Sequence, residues 1–276
     1  MSYNVPAVER ALKILKFLKR KENRQSSLAK ITSALEVNKS TCFSILQTLV
    51  NGRMVHYNQD TKTYQLGWAL PELGWTLIED TNYVTHAQTI LQPLVQHTGW
   101  TCHIWQRVSV DRVILLYKIE AASQLRLSVS LGARFPIYVG AMGRSFMAFL
   151  NDEERSEIYA RGLRMFTARS IVEPAIYEQE LQLVRARGFA EDSDGYQLGV
   201  SAVGAPVFNN KGEVLFATSL VLITPSPTSQ LICLGEELRS ACESITRILG
   251  GNIPKEYRYA QVMRETDLSA VEERGN

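Results

Sequence analysis

Between Asn38 and Gly52 the apolar residues Cys42, Ile45, Leu46 and Leu49 fall at i, i+3, i+4 and i+7, the spacing of one buried helical stripe. No other feature narrows the fold as much, because both ends and both flanks agree with it. Asn38 is a residue type that caps a helix start, and Gly52 one that stops a helix. Upstream, Ser26 or Ser27 precedes a shorter periodic run over residues 28–35, whose inward side chains are Leu28, Ile31 and Leu35. Only Glu36, Val37 and Asn38 separate the two. Downstream, residues 54–57 and 64–67 read as short strands around a polar connection at 58–63. A first helix over residues 5–21, with Val8, Leu12, Leu15 and Leu18 on one face and Ala11 filling it, completes the unit. Two helices joined by a tight turn and followed by a hairpin predict a winged helix-turn-helix over residues 1–67.

The outward face of the third helix carries Lys39, Ser40, Phe43, Ser44 and Gln47. Such side chains can enter a major groove: Gln47 is suited to adenine and Phe43 to a thymine methyl. Ser40 and Thr41, beside the helix N-terminus, suit a phosphate, and Lys62 near the hairpin tip suits another. Charge points the same way. Residues 1–67 hold 11 Lys and Arg against 4 Asp and Glu, whereas residues 68–276 hold 19 against 24. A basic segment on an acidic body is the asymmetry of a chain that meets a polyanion with one end. By spacing alone, a three-helix unit that binds protein remains open.

The remaining chain changes period. Residues 68–79 and 85–97 read as helices, the first a connector within a linker spanning 68–82. Residues 102–108 and 112–119 form a hairpin around Ser109, Val110 and Asp111, and residues 125–130 read as a third strand. Gly140, Ala141, Met142 and Gly143 open a helix to Leu150. Helices over 153–162 and 175–188, a second hairpin over 198–208 and 213–222, and a long helix over 231–249 follow. Hairpins mixed with helices, without regular strand–helix alternation, predict an α+β domain over 83–250 with an antiparallel sheet laid over helices. A polar tail, loose or a short separate helix, takes up 251–276.

Several functional classes are excluded or demoted. No P-loop, dinucleotide fingerprint, G-x-S-x-G or H-E-x-x-H occurs, so neither an enzyme nor a cofactor or metal site is expected. The four cysteines, Cys42, Cys102, Cys233 and Cys242, lack C-x-x-C spacing and read as small, mostly buried apolar residues. Cys102 and His103 are adjacent on a strand, which sends their side chains to opposite faces and argues against a Cys-His nucleophile. No apolar run is long enough for a membrane helix or shaped as a signal peptide; a cytoplasmic chain without a membrane partner is expected.

The run VERALKILKFL, then LAKITSALEVNKSTCFSILQTLVNGRMV, YQLG, LVQHTGWTCHIWQRV, GAMGRSFMAFL, LQLVRARGFAEDSDGYQLGV and AVGAPVFNNKGEVLFATSLV together resemble, in order and spacing, the IclR family of bacterial regulators. The resemblance runs from Val5 to Leu249. It implies a DNA-binding winged helix, a dimerising linker helix and a GAF-like effector domain, with dimers or pairs of dimers on double-stranded operator DNA. It also implies a pocket around Gly140, Ala141 and Met142, with Asp192, Val200, Ala202, Ser219 and Val221. Ala202 stands where the family pattern often has cysteine, Val221 where some members have a second serine, and Gly195 where an acidic residue is common. Ser44 replaces a frequent arginine on the third helix.

These readings give an effector-controlled transcription factor. The other reading is a metabolite-binding module or enzyme with a basic protein-interaction domain. The expected effector is a small organic acid, hydroxylated or aromatic. Its carboxylate would lie at residues 140–143, with Arg126 and Arg134 as candidate sources of positive charge and Asp192 donating as the protonated form or accepting from a ligand hydroxyl or amine. A fragment of residues 68–276 is expected to shift no duplex DNA at any salt in a gel assay; retention of operator binding by that fragment defeats the charge argument.

Overall fold

Helix starts are set by the residues that cap them. A computed structural model describes residues 5–79, 82–122, 129–223 and 227–257, with the backbone alone at 75–79 and 82. The chain divides into two compact units, Met1–Asn82 and Tyr83–Asn276. In the first, α1 (Pro6–Leu18) begins with proline at its first position, where a missing N–H costs nothing. Ser27 caps α2 (Leu28–Leu35) by accepting from the Lys30 N–H. Asn38 caps α3 (Lys39–Asn51) by accepting from the Ser40 N–H at 3.0 Å. Cys42 and Leu46 of α3 are fully buried among Ile14, Phe17, Leu18 and Ile31, with Ile45 and Leu49 half-buried against them. The face of α1 agrees with the sequence expectation at Leu15 and Leu18 and differs elsewhere: Ile14 and Phe17 are also buried, while Val8 and Leu12 are 56% and 50% exposed.

A three-stranded sheet closes this unit in the order β1 (Ser26–Ser27), β3 (Thr63–Leu66), β2 (Val55–Asn58). Tyr64 of β3 is buried and lies against Tyr57 with ring centroids 4.7 Å apart. The hairpin tip is held by Asn58, whose Oδ1 accepts from the Asp60 and Thr61 N–H groups. Gly67 ends the wing where a Cβ would stand 2.1 Å from the Arg53 carbonyl oxygen, so only glycine fits. Helix α4 (Ala69–Glu79) follows.

The second unit is built on one antiparallel sheet. Its strands are β4 (Thr101–Ser109), β5 (Arg112–Ile119), β6 (Arg134–Pro136), β7 (Ala190–Ser193), β8 (Val200–Phe208) and β9 (Val214–Ile223). Their order is β6-β5-β4-β9-β8-β7. The β4–β5 turn has two residues, since Ser109 pairs Arg112, where the sequence suggested three. The expected strand at 125–130 falls largely on residues outside those described; the described edge strand beside β5 is β6. Strand β7 was not anticipated.

Helices cover both faces of the sheet, rather than the one layer anticipated. One face packs α5 (Asn82–Thr98) and α9 (Thr228–Ile248) over Cys102, Ile104, Phe216 and Leu220. The other packs α6 (Gly140–Met147) and α8 (Pro174–Arg187) over Trp105, Leu115 and Ala217, with α7 (Asp152–Ala160) contributing Ile158. Cys102 thus faces away from His103, as strand parity requires. Cys42, Cys102 and Cys242 are buried, but Cys233 is exposed on α9. The tail is not loose at its start: Tyr257 is 2% exposed, packs against Phe149 and Phe208, and donates to Glu243 at 2.9 Å.

Helix α6 sits unusually close to its neighbours. A Cβ on Gly143 would lie 2.3 Å from the Ile137 carbonyl oxygen, and one on Gly204 of β8 would lie 2.8 Å from the Ala141 backbone. Gly143→Ala is therefore expected to destabilise the protein by about 1–3 kcal/mol, because backbone must move to admit the methyl. Gly74→Ala, in the interior of α4 with open space around it, is expected to stabilise by about 0.5–1 kcal/mol through helix propensity. Urea unfolding followed by circular dichroism checks both, and equal effects of the same sign count against the packing argument.

Candidate DNA-reading face and ligand cavity

The capping of α3 decides what its first turn can offer. Both donors of Ser40, its N–H and its hydroxyl, go to Asn38 Oδ1 at 3.0 and 2.9 Å. Ser40 is therefore not free to donate to a phosphate as the sequence suggested, and its carbonyl accepts from Ser44 Oγ at 3.1 Å. Lys39, Ser40, Phe43 and Ser44 are exposed, with Thr41 and Gln47 half-buried. Phe43, at 46% exposed, is a large apolar ring standing in water. Gln47 lies beside the Tyr64 hydroxyl of the wing. Lys62 is exposed at the hairpin tip in a left-handed conformation, φ 54°. The face therefore combines an apolar ring, a half-buried amide and two separated cations.

In the second unit a cavity of about 500 Å³ lies between α6 and the sheet. Gly140, Ala141, Met142, Asp192, Val200, Ala202, Ser219 and Val221 all line it, so eight positions separated by up to 81 residues meet in one place. Sheet register explains this: Asp192 pairs Ala202, and Ala202 pairs Val221. Arg126 lies outside the described residues. Arg134 is exposed on edge strand β6 and does not line the cavity.

The start of α6 is shaped by glycine. Gly140 has φ +65°, which a side chain would strain. Val139 precedes it, and no side chain caps the helix. The Gly143 N–H bonds the Val139 carbonyl at 3.1 Å and is spent. The amides of Gly140, Ala141 and Met142 precede it in the first turn, where helices lack internal acceptors.

Asp192 is not the free carboxylate the sequence allowed for. It is 7% exposed and pairs with Arg144 Nη2 at 3.1 Å, and it takes backbone hydrogen bonds from Gly195 and Tyr196. Burial pushes its carboxyl above the ordinary value, against the pull of Arg144 and the two amides. Arg144 also donates to the Glu191 carbonyl. The pair ties α6 to β7, and Gly195 permits it, since a Cβ there would lie 2.3 Å from Asp192 Oδ1.

Several lining residues were not read from sequence. Trp105, Phe135 and Tyr196 form an edge-to-face chain, with centroids 5.2 and 5.3 Å apart. Trp105 Nε1 donates to Ser219 Oγ at 2.9 Å. His103 stands beside them, its ring 5.6 Å from Trp105. The one available signal was strand parity, which puts His103 and Trp105 on the face opposite Cys102. A second, larger groove of about 780 Å³ runs along Leu150, Arg155, Arg185 and Pro254; it contains none of these residues. Among the described residues no group of three His, Cys, Asp or Glu could hold a metal ion, and no helix is long and apolar enough to cross a membrane.

Known proteins share this arrangement. Residues 7–59 match the IclR helix-turn-helix domain, and residues 76–247 match the bacterial transcriptional regulator IclR C-terminal family. The HTH-type transcriptional repressor AllR of Salmonella typhimurium is 26% identical over 250 residues, covering 88% of this chain and 90% of AllR. A crystal structure of an IclR transcriptional regulator from Alicyclobacillus acidocaldarius aligns with a TM-score of 0.80 at 32% identity, over 90% of this chain and all of that one. The Thermotoga maritima IclR structure aligns with a TM-score of 0.73 at 25% identity, over 88% of this chain and 98% of its own. With both segments matched in order, the chain belongs to the IclR family of bacterial transcriptional regulators, which join a DNA-binding helix-turn-helix to an effector-binding C-terminal domain.

Proposed function

We propose that this regulator binds operator DNA as a dimer and that a small organic acid, hydroxylated or aromatic, governs that binding from the cavity beneath α6. The observation that carries the effector class is the lining. Gly140, Ala141, Ala202, Ser219 and Val221 bring no charge to the cavity, and the uncapped first turn of α6 offers amide N–H groups to it. Such a turn favours a carboxylate. Arg144 and two amides hold Asp192, so its charge is balanced and does not repel an acid. The Trp105, Phe135 and Tyr196 rings suit a flat or apolar ligand body, and the volume falls in the range of small-molecule sites.

In this reading residues 1–67 read DNA, 68–82 link, 83–250 sense and 251–276 form the tail. Gln47 and Phe43 meet base edges, while Lys39, Thr41 and Lys62 meet the backbone. Val5, Val8 and Leu12, each at least half exposed on α1, together with Leu73 and the 82% exposed Trp68, supply apolar surface for pairing two chains on half-sites about 34 Å apart. The AllR relatives are repressors, and by likeness repression is assigned here.

Ala141→Trp, which fills the cavity, is expected to abolish release of operator by effector in a fluorescence-anisotropy assay while leaving operator affinity within twofold. A variant that folds and still responds places the effector elsewhere. Gln47→Ala is expected to relax base preference by about 1–3 kcal/mol at one position of each half-site. Lys62→Ala should weaken all sequences alike and flatten the salt dependence. Uniform losses for both variants remove Gln47 as a base reader.

A further inference from the structure

His103 differs from the other polar groups around the cavity. It is 1% exposed and lines the cavity floor, yet neither Nδ1 nor Nε2 has a hydrogen-bond partner among the described residues. Buried imidazoles are ordinarily satisfied, so an unsatisfied one against a cavity marks an absent partner. Its neighbours hold it in place without bonding it. Trp105 presents an edge-to-face contact at 85°, and β9 pairs Ser219 directly opposite. Lys118 is the paired residue on β5, and its Nζ is taken by Glu120 at 2.6 Å. Across the cavity Asp192 is engaged by Arg144.

Burial, with Lys118 adding to it and Glu120 opposing, pushes the imidazole down to about 4, so at neutral pH it carries one N–H and one bare nitrogen. Ser219 Oγ already accepts from Trp105 Nε1, which leaves its hydroxyl proton to donate. Paired strands lie about 4.8 Å apart, so the Ser219 O–H and the His103 N–H can converge on one oxygen lying over the sheet.

We propose that His103 is a specificity-determining contact for the effector: with Ser219 it binds a second oxygen function of the acid, a hydroxyl or a second carboxylate, while the first carboxylate sits at the start of α6. The proposal rests on the acid reading of the cavity for the first carboxylate and adds the second pole. It selects bifunctional acids over simple ones of the same size.

The test uses the full chain and two matched pairs, benzoate with 4-hydroxybenzoate and butyrate with succinate, in isothermal titration calorimetry. In the wild type the bifunctional member of at least one pair is expected to bind tenfold or more tightly than its partner. In His103→Leu the two members should bind within threefold, with the simple acid unchanged. The ligand-free variant should also melt about 2–4 °C higher, because an unsatisfied buried polar group has been replaced by an apolar one. His103→Gln, which keeps a donor, should retain part of the preference, and His103→Phe stands in if the leucine variant fails to fold. A preference that survives in His103→Leu or His103→Phe overturns the proposal alone. A lower melting temperature for both apolar variants makes His103 a packing residue and also overturns it. Absence of binding by all four acids to the wild type overturns the acid reading, and this proposal with it.

Discussion

The sensing unit depends on how closely α6 approaches its surroundings. Ala141 lies over Gly204 with no room for a side chain between them, and Gly143 meets the backbone of Ile137. Because the helix is pressed down there, its first turn ends above β8 and β9, and the space left between that turn and the strands is the cavity. The Arg144–Asp192 pair holds the other side, joining α6 to edge strand β7. A buried ion pair is weak evidence of stability, since desolvation offsets much of the attraction. Its use here is positional: it fixes the last turn of α6 against β7 and pairs the negative charge on the cavity wall.

Local sequence signals were legible where both partners of a signal lie close in the chain. The α3 stripe, its Asn38 cap and both large hairpins are local features, and the structure contains them. The buried face of α1 was right at Leu15 and Leu18 but misread at Val8 and Leu12, because two apolar stripes run along one helix. Val8 and Leu12 satisfy the helical period as well as Ile14 and Phe17 do, and periodicity cannot say which stripe meets α3. Strand β7 escaped because four residues, three of them polar, form an edge strand only through pairing with β8. Arg144 and Trp105 became visible only through contacts 47 or more residues away, to Glu191 and Ser219. Most cavity positions came from family resemblance rather than spacing, and that resemblance could not indicate His103.

The two units make opposite use of charge. In the first, cationic residues such as Lys16, Lys19, Arg24 and Lys62 remain exposed, which suits a partner whose phosphates are read by long-range attraction. In the second, ion pairs neutralise most of the charge near the cavity, among them Arg144 with Asp192, Arg169 with Asp194 and Lys118 with Glu120. In the proposed reading, recognition there falls to neutral donors: first-turn amides, a hydroxyl and an imidazole. Neutral donors in a buried site discriminate by geometry rather than by charge alone, because an unmet donor is costly and a misplaced acceptor does not relieve it.

The cavity wall is also mechanically joined to the loop that supports Asp192. Tyr196 meets Phe135 edge to face and Phe166 at a tilt, and its backbone lies beside Asp192. The same loop is tied down by Thr167 and Ser170, whose hydroxyls donate to the carbonyls of Asp194 and Gly195 at 2.6 Å each, and by Gly199 N–H on Asp194 at 2.7 Å. A ligand body seated against the Tyr196 ring would therefore bear on the same loop that borders the buried Asp192 carboxylate.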